Sequence, residues 1–382
     1  HLHHGPSLWR QLYLGRCRLR AGPRLRLRRV VPCKGAGARA RCSAMQSLRN
    51  HTSFAALVVL LLSCGSDAKQ GAIDAADPCL APQSASEIMA CVDLARLSAD
   101  IEQVAMERVP GSEHWQTIQD LCRTRLTEYG YDVELASYDT GVNVIGRRPG
   151  TQALAGDVIV SAHYDHIAGC PGASDNAAGL AATLEIARLL GERENAQSLV
   201  IACWDEEERG LIGSTAYAEA ARAADQDIKA MISFDTIGFR KSEVDTQTLP
   251  NGFDALFPSV YAEVEANEFR ADFLSLILDE SSSEVGQQLV AHAEAIGLNT
   301  SLVEVPEALK LSLATGDLRR SDHASFWRND YPGILISDTA NFRNPNYHCL
   351  EGIDSPSTLD MDFVKETTQV ALGAAIDALG SP

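Results

Sequence analysis

The chain has 382 residues, with 51 Asp and Glu against 33 Lys and Arg, which gives a formal net charge of −18. Such an acidic excess argues against a nucleic-acid partner and favours a soluble, self-repelling surface. The basic residues cluster at the N-terminus, where residues 1–44 hold ten arginines, one lysine and no acid. We interpret 1–44 as a translation artefact of an upstream start, and a nucleic-acid-binding arm is the alternative interpretation.

Residues 45–63 have the pattern of a bacterial lipoprotein signal peptide. A basic start leads into the apolar run 54–62, which is too short to span a bilayer as a mature helix. Leu61-Leu62-Ser63-Cys64 resembles a lipobox, so we expect Cys64 to become the lipidated first residue of an exported protein. The protein would then be held at the cell envelope, periplasmic or on the cell surface, only through this lipid. Residues 64–85, rich in Ala, Asp, Gly and Ser, would tether the lipid to a domain over 86–382.

The periodicity of apolar residues after this tether predicts an α/β domain with a mostly parallel central sheet and helices on both faces. Helices are expected at 85–108, 112–130, 178–193, 283–297 and 362–379. Strands are expected at 132–138, 142–146, 157–162, 198–203, 229–234, 273–278 and 333–337. The stretch 240–270, which contains three Pro or Gly residues, is expected to form a surface excursion near the mouth of an active site.

Three successive strands are each followed by residues that can bind metal. His163 and Asp165 end the first strand, the acidic run from Asp205 to Glu208 follows the second, and Asp235 follows the third. The carboxyl ends of parallel strands share one edge of a sheet, so these side chains are expected to meet there. A two-residue period puts His163 and Asp165 on one face, where Asp165 can orient the histidine. The alternative for the acidic run alone is a solvated loop.

Two further residues complete a candidate two-zinc site. Asp175 lies in a loop rich in Gly, Ser and Asn that opens the next helix, and a short carboxylate there can bridge two cations. His348, in NYHCLEGID, supplies another nitrogen ligand. Together with the residues at the strand ends, they indicate a two-zinc hydrolase.

These motifs resemble the co-catalytic di-zinc aminopeptidase family, which includes the bacterial leucyl aminopeptidases and the Streptomyces-type aminopeptidase. The resemblance covers about residues 86–380 and rests on an ordered set of segments. They are AHYDH at 162–166, GASDNAAG at 172–179, EERGLIGS at 207–214, FDTIG at 234–238, SDHASFW at 321–327 and YH at 347–348. The resemblance implies a zinc-exopeptidase, phosphorylase/hydrolase-like fold and a zinc peptidase domain over 86–382.

The resemblance also implies how two zinc ions are bound. One ion takes His163, Asp235 and one oxygen of Asp175, and the other takes Glu208, His348 and the second oxygen of Asp175. The implied assignment leaves Glu207 unligated, as the general base for a metal-bridging water.

Three residues are therefore expected to be catalytic. The resemblance implies Glu207 as the base and Tyr347 as a donor to the developing oxyanion, and the strand spacing adds Asp165 as the residue that orients His163.

Several residues near the motifs are open to more than one interpretation. His166 follows Asp165 directly, but its side chain is expected to point away from the metals. His323 resembles a recurrent family element near the site, and Asp322 beside it would brace the zinc loop or line the substrate pocket. A purely structural role is the alternative. Asp354 lies six residues after His348, a longer spacing than is usual in the family, which leaves open whether it orients that histidine. Ser174 stands where many members carry another aspartate, a change expected to matter little.

Six cysteines follow Cys64, and an exported chain permits disulfides, although their connectivity is not deducible from the sequence. Cys203 lies inside an apolar strand and is expected to be a buried thiol. Cys170 and Cys349 both flank loops that carry implied ligands, so a bridge between them would brace the rim of the pocket.

The leading functional hypothesis is an exported, monomeric aminopeptidase that removes N-terminal residues from peptides. A glutaminyl cyclase of the same fold is the first alternative, but that branch typically keeps one zinc and interrupts the segment after the paired glutamates, whereas EERGLIGS is uninterrupted here. A non-catalytic binding module is the second alternative. Such modules usually lose metal ligands, and this chain retains the implied set.

Overall fold

The computed structural model of the protein describes Cys79 and residues 84–382. The segment 1–44, the signal peptide 45–63 and most of the tether lie outside these described residues, so the predictions made for them stay predictions.

The described residues form one eight-stranded mixed sheet flanked by helices. The strands are β1 Asp132–Ser137, β2 Val142–Arg148, β3 Asp157–His163, β4 Ser198–Trp204, β5 Ile228–Phe234, β6 Leu274–Asp279, β7 Thr300–Val305 and β8 Ile334–Ser337. Their order across the sheet is β1-β2-β4-β3-β5-β8-β6-β7. The pairs β3–β4, β3–β5, β5–β8 and β6–β7 are parallel, and the pairs β1–β2, β2–β4 and β6–β8 are antiparallel. The predicted α/β class is confirmed.

The helices in the described range are α1 Ala85–Ala90, α2 Leu94–Val104, α3 Glu113–Glu128, α4 Ala178–Leu190, α5 Ile212–Ala223, α6 Phe253–Leu256, α7 Pro258–Ala266, α8 Ser283–Ile296, α9 His323–Arg328 and α10 Met361–Leu379. The helix predicted over 85–108 is two helices. Its break occurs where the carboxylate of Asp93 accepts hydrogen bonds from the backbone N–H groups of Ala95 and Arg96 and so begins α2. In the described range, none of the helices combines the length and the apolar character that a membrane crossing requires.

The sheet is covered on both faces, as the alternation of side chains along β3 shows. Val158 and Val160 pack into the large core beneath the helices that include α2, α4 and α10, whereas Ile159 packs on the opposite face. All seven residues of β3 are buried, because the strand is central and has a layer on each side.

Two parts of the C-terminal half differ from the sequence-based prediction. The stretch 240–270 contains α6 and α7 and is therefore more than a loop excursion. Strand β7, at the edge of the sheet, was not predicted, because Thr300, Asn299 and Glu304 interrupt the apolar run that marks the central strands. Both elements border a cavity described below.

Candidate metal centre

The structure brings together all five of the implied metal ligands at the carboxyl ends of β3, β4 and β5. The Nε2 atom of His163 lies 3.4 Å from Oδ1 of Asp175 and 3.7 Å from Oδ1 of Asp235. The Nε2 atom of His348 lies 3.0 Å from Oδ2 of Asp175 and 3.2 Å from Oε2 of Glu208. Each oxygen of Asp175 thus faces a different histidine–carboxylate pair, the arrangement that a bridging ligand requires.

Unpaired buried atoms in this cluster test whether it fits metal ions. Buried polar atoms ordinarily have hydrogen-bond partners. Yet Nε2 of His163, Oδ1 of Asp175, Oε1 of Glu208 and Nε2 of His348 are buried and, although they lie close to one another or to other side chains of the cluster, none has a described partner in hydrogen-bond geometry. Imidazole nitrogens and carboxylate oxygens are the donors that zinc binds. The residues present therefore fit two zinc ions.

The negative charges of the carboxylates in this cluster also favour the binding of cations. Partial burial by itself lowers the pKa of His348, but the neighbouring carboxylates of Asp175 and Glu208 outweigh this effect and raise the pKa to about 10. In the absence of metal, the histidine would have to carry the positive charge that these acids need. Bound cations would supply that charge and leave the histidine neutral, as a metal ligand must be.

Glu207 is placed beside the first half-site and is not part of the pairs above. Its carboxylate, a nitrogen of His163 and a carboxylate oxygen of Asp235 lie within 4.8 Å of one another. Burial raises the pKa of Glu207 well above its usual value, and the nearby acids add to this effect. A buried carboxylate with a raised pKa is suited to accept and return a proton near neutral pH.

The turn after β4 aims Glu207 and Glu208 into the site. Glu206 adopts the left-handed backbone region, with φ of 55°, and this reverses the chain directly after the strand. The carboxylate of Asp165 then accepts hydrogen bonds from the backbone N–H groups of Glu207 at 3.0 Å and Glu208 at 3.3 Å. Oδ1 of Asp165 also lies 3.5 Å from Nδ1 of His163. Asp165 therefore positions both the ligand on β3 and the paired glutamates after β4.

The acidic run is not a solvated loop. Asp205 is fully buried, and its carboxylate accepts hydrogen bonds from Nε1 of Trp115 at 2.8 Å and the backbone N–H of Val142 at 3.0 Å. Glu206 is also buried and forms an ion pair with Arg209 at 2.7 Å. The first two acids of the run therefore anchor the loop, while the last two face the metal cluster.

Arg108 is a positioning residue that the sequence did not reveal. Its fully buried guanidinium donates hydrogen bonds to the backbone carbonyl groups of Pro171 at 2.5 Å, Gly172 at 3.0 Å and Asp175 at 3.1 Å. It thereby holds the loop that presents the carboxylate of Asp175. No local signal could have found these contacts with the loop, because the three carbonyl groups belong to residues more than 60 positions away.

Asp354 also supports this loop, which answers the question left open by the sequence. Its carboxylate accepts hydrogen bonds from the backbone N–H groups of Ser174 at 3.0 Å and Asp175 at 3.2 Å. It orients Asp175, and among its hydrogen bonds in the described chain none reaches the ring of His348. The Ser174 hydroxyl accepts a hydrogen bond from the side-chain amide of Asn344 at 3.1 Å.

The prediction that His166 points away from the metals is wrong. Its ring is buried, and Nδ1 lies 2.6 Å from Oε1 of Glu208. A nitrogen of His166 forms a group with oxygens of Asp175 and Glu208 whose members all lie within 4.8 Å of one another. The error has a simple cause: β3 ends at His163, so the alternation of side chains along the strand no longer applies three residues later.

Tyr347 lies over the second half-site. Its ring stacks on that of His348, with centroids 3.9 Å apart and an interplanar angle of 16°. Its hydroxyl oxygen accepts a hydrogen bond from Arg320 at 3.2 Å, which leaves the hydroxyl proton available to another acceptor.

His323 and Asp322 have different roles. His323 donates a hydrogen bond from Nε2 to the carbonyl of Leu318 at 2.9 Å and packs edge-on against Trp327, so its role is structural. Asp322 is fully buried, and burial raises its pKa to about 7. Neither of its carboxylate oxygens has a hydrogen-bond partner among the described residues.

Two disulfides stabilise the domain. The Cys170–Cys349 bridge considered from the sequence is confirmed, and it ties the loop before Asp175 to the residue that follows His348. A second bridge links Cys79 to Cys91. Cys203 is a buried free thiol, as predicted, and so is Cys122.

Comparison with known proteins identifies the family. Residues 143–375, a range that includes all five implied ligands, match the model of peptidase family M28. The chain belongs to this family. The chain is 29% identical to the uncharacterized protein YfbL of Escherichia coli strain K12 over 203 aligned residues, which are 50% of this chain and 58% of that protein. It is 28% identical over 244 residues to a probable leucine aminopeptidase of Trichophyton verrucosum, covering 60% and 54%. The chain thus spans little more than half the length of these relatives.

Solved structures share the fold of this M28 chain. The LapA aminopeptidase of Legionella pneumophila superposes with a TM-score of 0.58 at 16% identity, covering 78% of this chain and 75% of that one. A glutaminyl cyclase of Porphyromonas gingivalis superposes with a TM-score of 0.52 at 18% identity, covering 75% and 98%. An aminopeptidase and a cyclase are therefore built on this fold, and the fold does not distinguish between the two reactions.

A cavity opens beside the metal centre of this M28 domain. Asp235 and Tyr347 line the side next to the metal ligands, and Phe253, Phe273 and Leu318 contribute apolar walls. Residues 247–250 also line it, which agrees with the prediction that the stretch 240–270 lies near the mouth of the site.

Proposed function

We propose that the protein is a two-zinc aminopeptidase that hydrolyses the N-terminal peptide bond of its substrates. The observation that carries this proposal is the pair of half-sites that share Asp175, with the Glu207 carboxylate within 4.8 Å of ligand atoms of His163 and Asp235. The family membership and the similarity to a probable leucine aminopeptidase support it.

The residues around the centre would divide the work of the reaction. When bound, two zinc ions would polarise the scissile carbonyl and lower the pKa of a water. Glu207 would accept the proton of that water and return it to the leaving amine. Tyr347 would donate a hydrogen bond from its hydroxyl to the oxygen of the scissile carbonyl, while the hydrogen bond from Arg320 holds the phenol oxygen in place. Asp165, Arg108 and Asp354 would hold these groups in position through backbone hydrogen bonds.

The cavity would take the side chain of the N-terminal residue. It is lined by Asp235 and Tyr347 on one side, so a substrate held at the metals would place its first side chain there. The aromatic and aliphatic walls favour a large apolar side chain over a charged one.

A panel of substrates tests the proposal and its two alternatives together. We expect zinc-dependent release of the chromophore from aminoacyl-chromogenic substrates, and no release from their N-blocked counterparts, because the reaction needs a free N-terminus. Peptides that begin with glutamine should not be converted to pyroglutamyl peptides, whether or not they are hydrolysed. Formation of pyroglutamate instead would establish the cyclase, and inertness toward every substrate with zinc bound would support a binding module.

Export and lipid anchoring are part of the same proposal. The lipobox ends at Cys64, and the two disulfides in the described part of the chain are typical of an oxidising compartment outside the cytoplasm. Firm anchoring requires more than one acyl chain, which a lipidated N-terminal cysteine provides.

Cys64→Ser tests the anchor. In a bacterial host that expresses the protein from Met45, the unaltered chain should incorporate radioactive palmitate and sediment with membranes, whereas the variant should do neither. The peptidase activity of the variant serves as the control for folding. Labelling that persists in the variant, or an unaltered protein released with an N-terminus other than Cys64, would contradict the anchor and leave the peptidase proposal standing.

A further inference from the structure

The wall of the cavity contains a row of serines on the sheet. Ser337 of β8 pairs with Ser275 of β6, and Ser275 pairs with Ser301 of β7, so the three residues lie side by side across three neighbouring strands. All three line the cavity. Side chains two residues apart on a strand share a face, and the neighbours of Ser275 and Ser301 on this face are the apolar Ile277 and Val303.

This serine row starts at the metal centre. Phe234 of β5 pairs with Ile336 of β8, and the next residue, Asp235, donates its backbone N–H to the carbonyl of Ile336 at 3.1 Å. Asp235 therefore stands level with Ser337. Because neighbouring strands are about 4.8 Å apart, Ser275 lies about 10 Å and Ser301 about 14 Å from the strand that carries this metal ligand.

The hydroxyl groups of the row differ in their hydrogen bonds. The Ser337 hydroxyl pairs with that of Thr236 at 2.8 Å and accepts a hydrogen bond from the backbone N–H of Thr339. The hydroxyls of Ser275 and Ser301 make no hydrogen bond with another described residue, although these residues are only 3% and 6% exposed.

The side chain of Gln247, which also lines the cavity, already has partners. The side-chain amide of Gln247 donates to the hydroxyl of Thr339, and its carbonyl oxygen accepts from Nε of Arg343 at 2.7 Å. The Ser321 hydroxyl, which also lines the cavity, has no partner in the described chain either, but it lies close to Asp235 at the metal end. At the far end, the hydroxyls of Ser275 and Ser301 are the free groups to which an occupant of the cavity could add a hydrogen bond.

We infer that the cavity selects N-terminal residues whose large side chain ends in a hydrogen-bonding group, with tyrosine preferred over phenylalanine. The aromatic and aliphatic walls would enclose the ring, and Ser275 and Ser301 would bond the phenol at the far end. Because a serine side chain is smaller than that of valine or isoleucine, Ser275 and Ser301 also leave room in the cavity for a side chain as long as that of tyrosine. This inference rests on the proposed aminopeptidase function and specifies its substrate class.

Kinetics with a matched series of substrates test the inference. The zinc-loaded protein should cleave tyrosyl substrates with a kcat/KM about three- to tenfold above that for phenylalanyl substrates, the effect expected for one neutral hydrogen bond. Alanyl substrates should be cleaved less well than both. In the double variant S275A/S301A the ratio of tyrosyl to phenylalanyl kcat/KM should fall to about one, with phenylalanyl turnover retained.

Ser233→Ala is the matched control. Ser233 is a buried serine of β5 whose hydroxyl also has no hydrogen-bond partner in the described chain, but it does not line the cavity. Its replacement should leave the ratio unchanged. A second pair of variants, S275V and S301V, fills the space and should lower kcat/KM for both aromatic substrates relative to alanyl ones.

Binding measurements separate this inference from the proposed function. Calorimetry should show that tyrosinamide binds the zinc-loaded protein more tightly than phenylalaninamide, and that S275A/S301A removes the difference. Hydrolysis with equal kcat/KM for tyrosyl and phenylalanyl substrates, or a preference that the double variant keeps, would overturn the inference alone. Absence of hydrolysis, with the calorimetric difference present, would overturn the aminopeptidase function and leave the side-chain preference of the cavity in place.

Discussion

Glu207→Gln is expected to lower turnover by about 100- to 10,000-fold, the usual contribution of general base catalysis, while two equivalents of zinc remain bound. The reason lies in the geometry: the ligand pairs are formed by other residues, and Glu207 stands beside them with its backbone N–H held by Asp165. The amide of glutamine keeps the size of the side chain but cannot accept the proton. Steady-state kinetics and metal analysis on the same preparation measure the two effects.

Glu206→Gln is the control for loss of a buried acid in the same turn. Glu206 is buried but pairs with Arg209, so its replacement should spare both the metal content and most of the turnover. Near-normal activity of the Glu207 variant would remove Glu207 from the role of base. The base would then have to be sought among its acidic neighbours.

Asp175→Ala is expected to lose most of both metal ions. Its two carboxylate oxygens face separate pairs, with Oδ1 toward His163 and Oδ2 toward His348, so the substitution takes a ligand from each. Atomic absorption after dialysis against zinc-free buffer measures the stoichiometry. Retention of two full equivalents in this variant would mean that the bridging role is assigned to the wrong residue.

Asp235→Ala provides the comparison, because it touches one half-site only. Asp235 lies beside His163, whereas Glu208 and His348 form the other pair. This variant should keep about one equivalent of zinc, held by the second pair. Circular dichroism of both variants checks that the fold is intact, so that loss of metal is not confused with unfolding.

The ends of the central strands could be read from the sequence because a local pattern determines them. The apolar run of β3 ends in His163, and the runs of β4 and β5 are followed directly by Asp205 and Asp235. Parallel neighbours then bring those ends to one edge, and the observed order β4-β3-β5 does so. His348 lies on a loop, where periodicity carries no information, and only its residue type indicated it before the motif resemblance assigned it to a zinc ion.

The residues that hold the site in place could not be read in this way. Arg108 acts on carbonyl groups, Asp354 acts on backbone N–H groups, and any sequence can supply such partners. His166 was misplaced because its direction depends on a turn and not on a strand. These contacts join segments far apart in the chain, so no residue spacing in the sequence predicts them.

The sequence by itself determined which residue types would meet at the metal centre, since side-chain alternation and the ends of apolar runs are local properties. Only the tertiary structure decided how they are held and what lies next to them. The serine row is the clearest case: Ser275, Ser301 and Ser337 belong to three separate segments, and they become neighbours only through the register of β8, β6 and β7. Strand register between distant segments is set by the packing of the whole sheet, which no local pattern specifies.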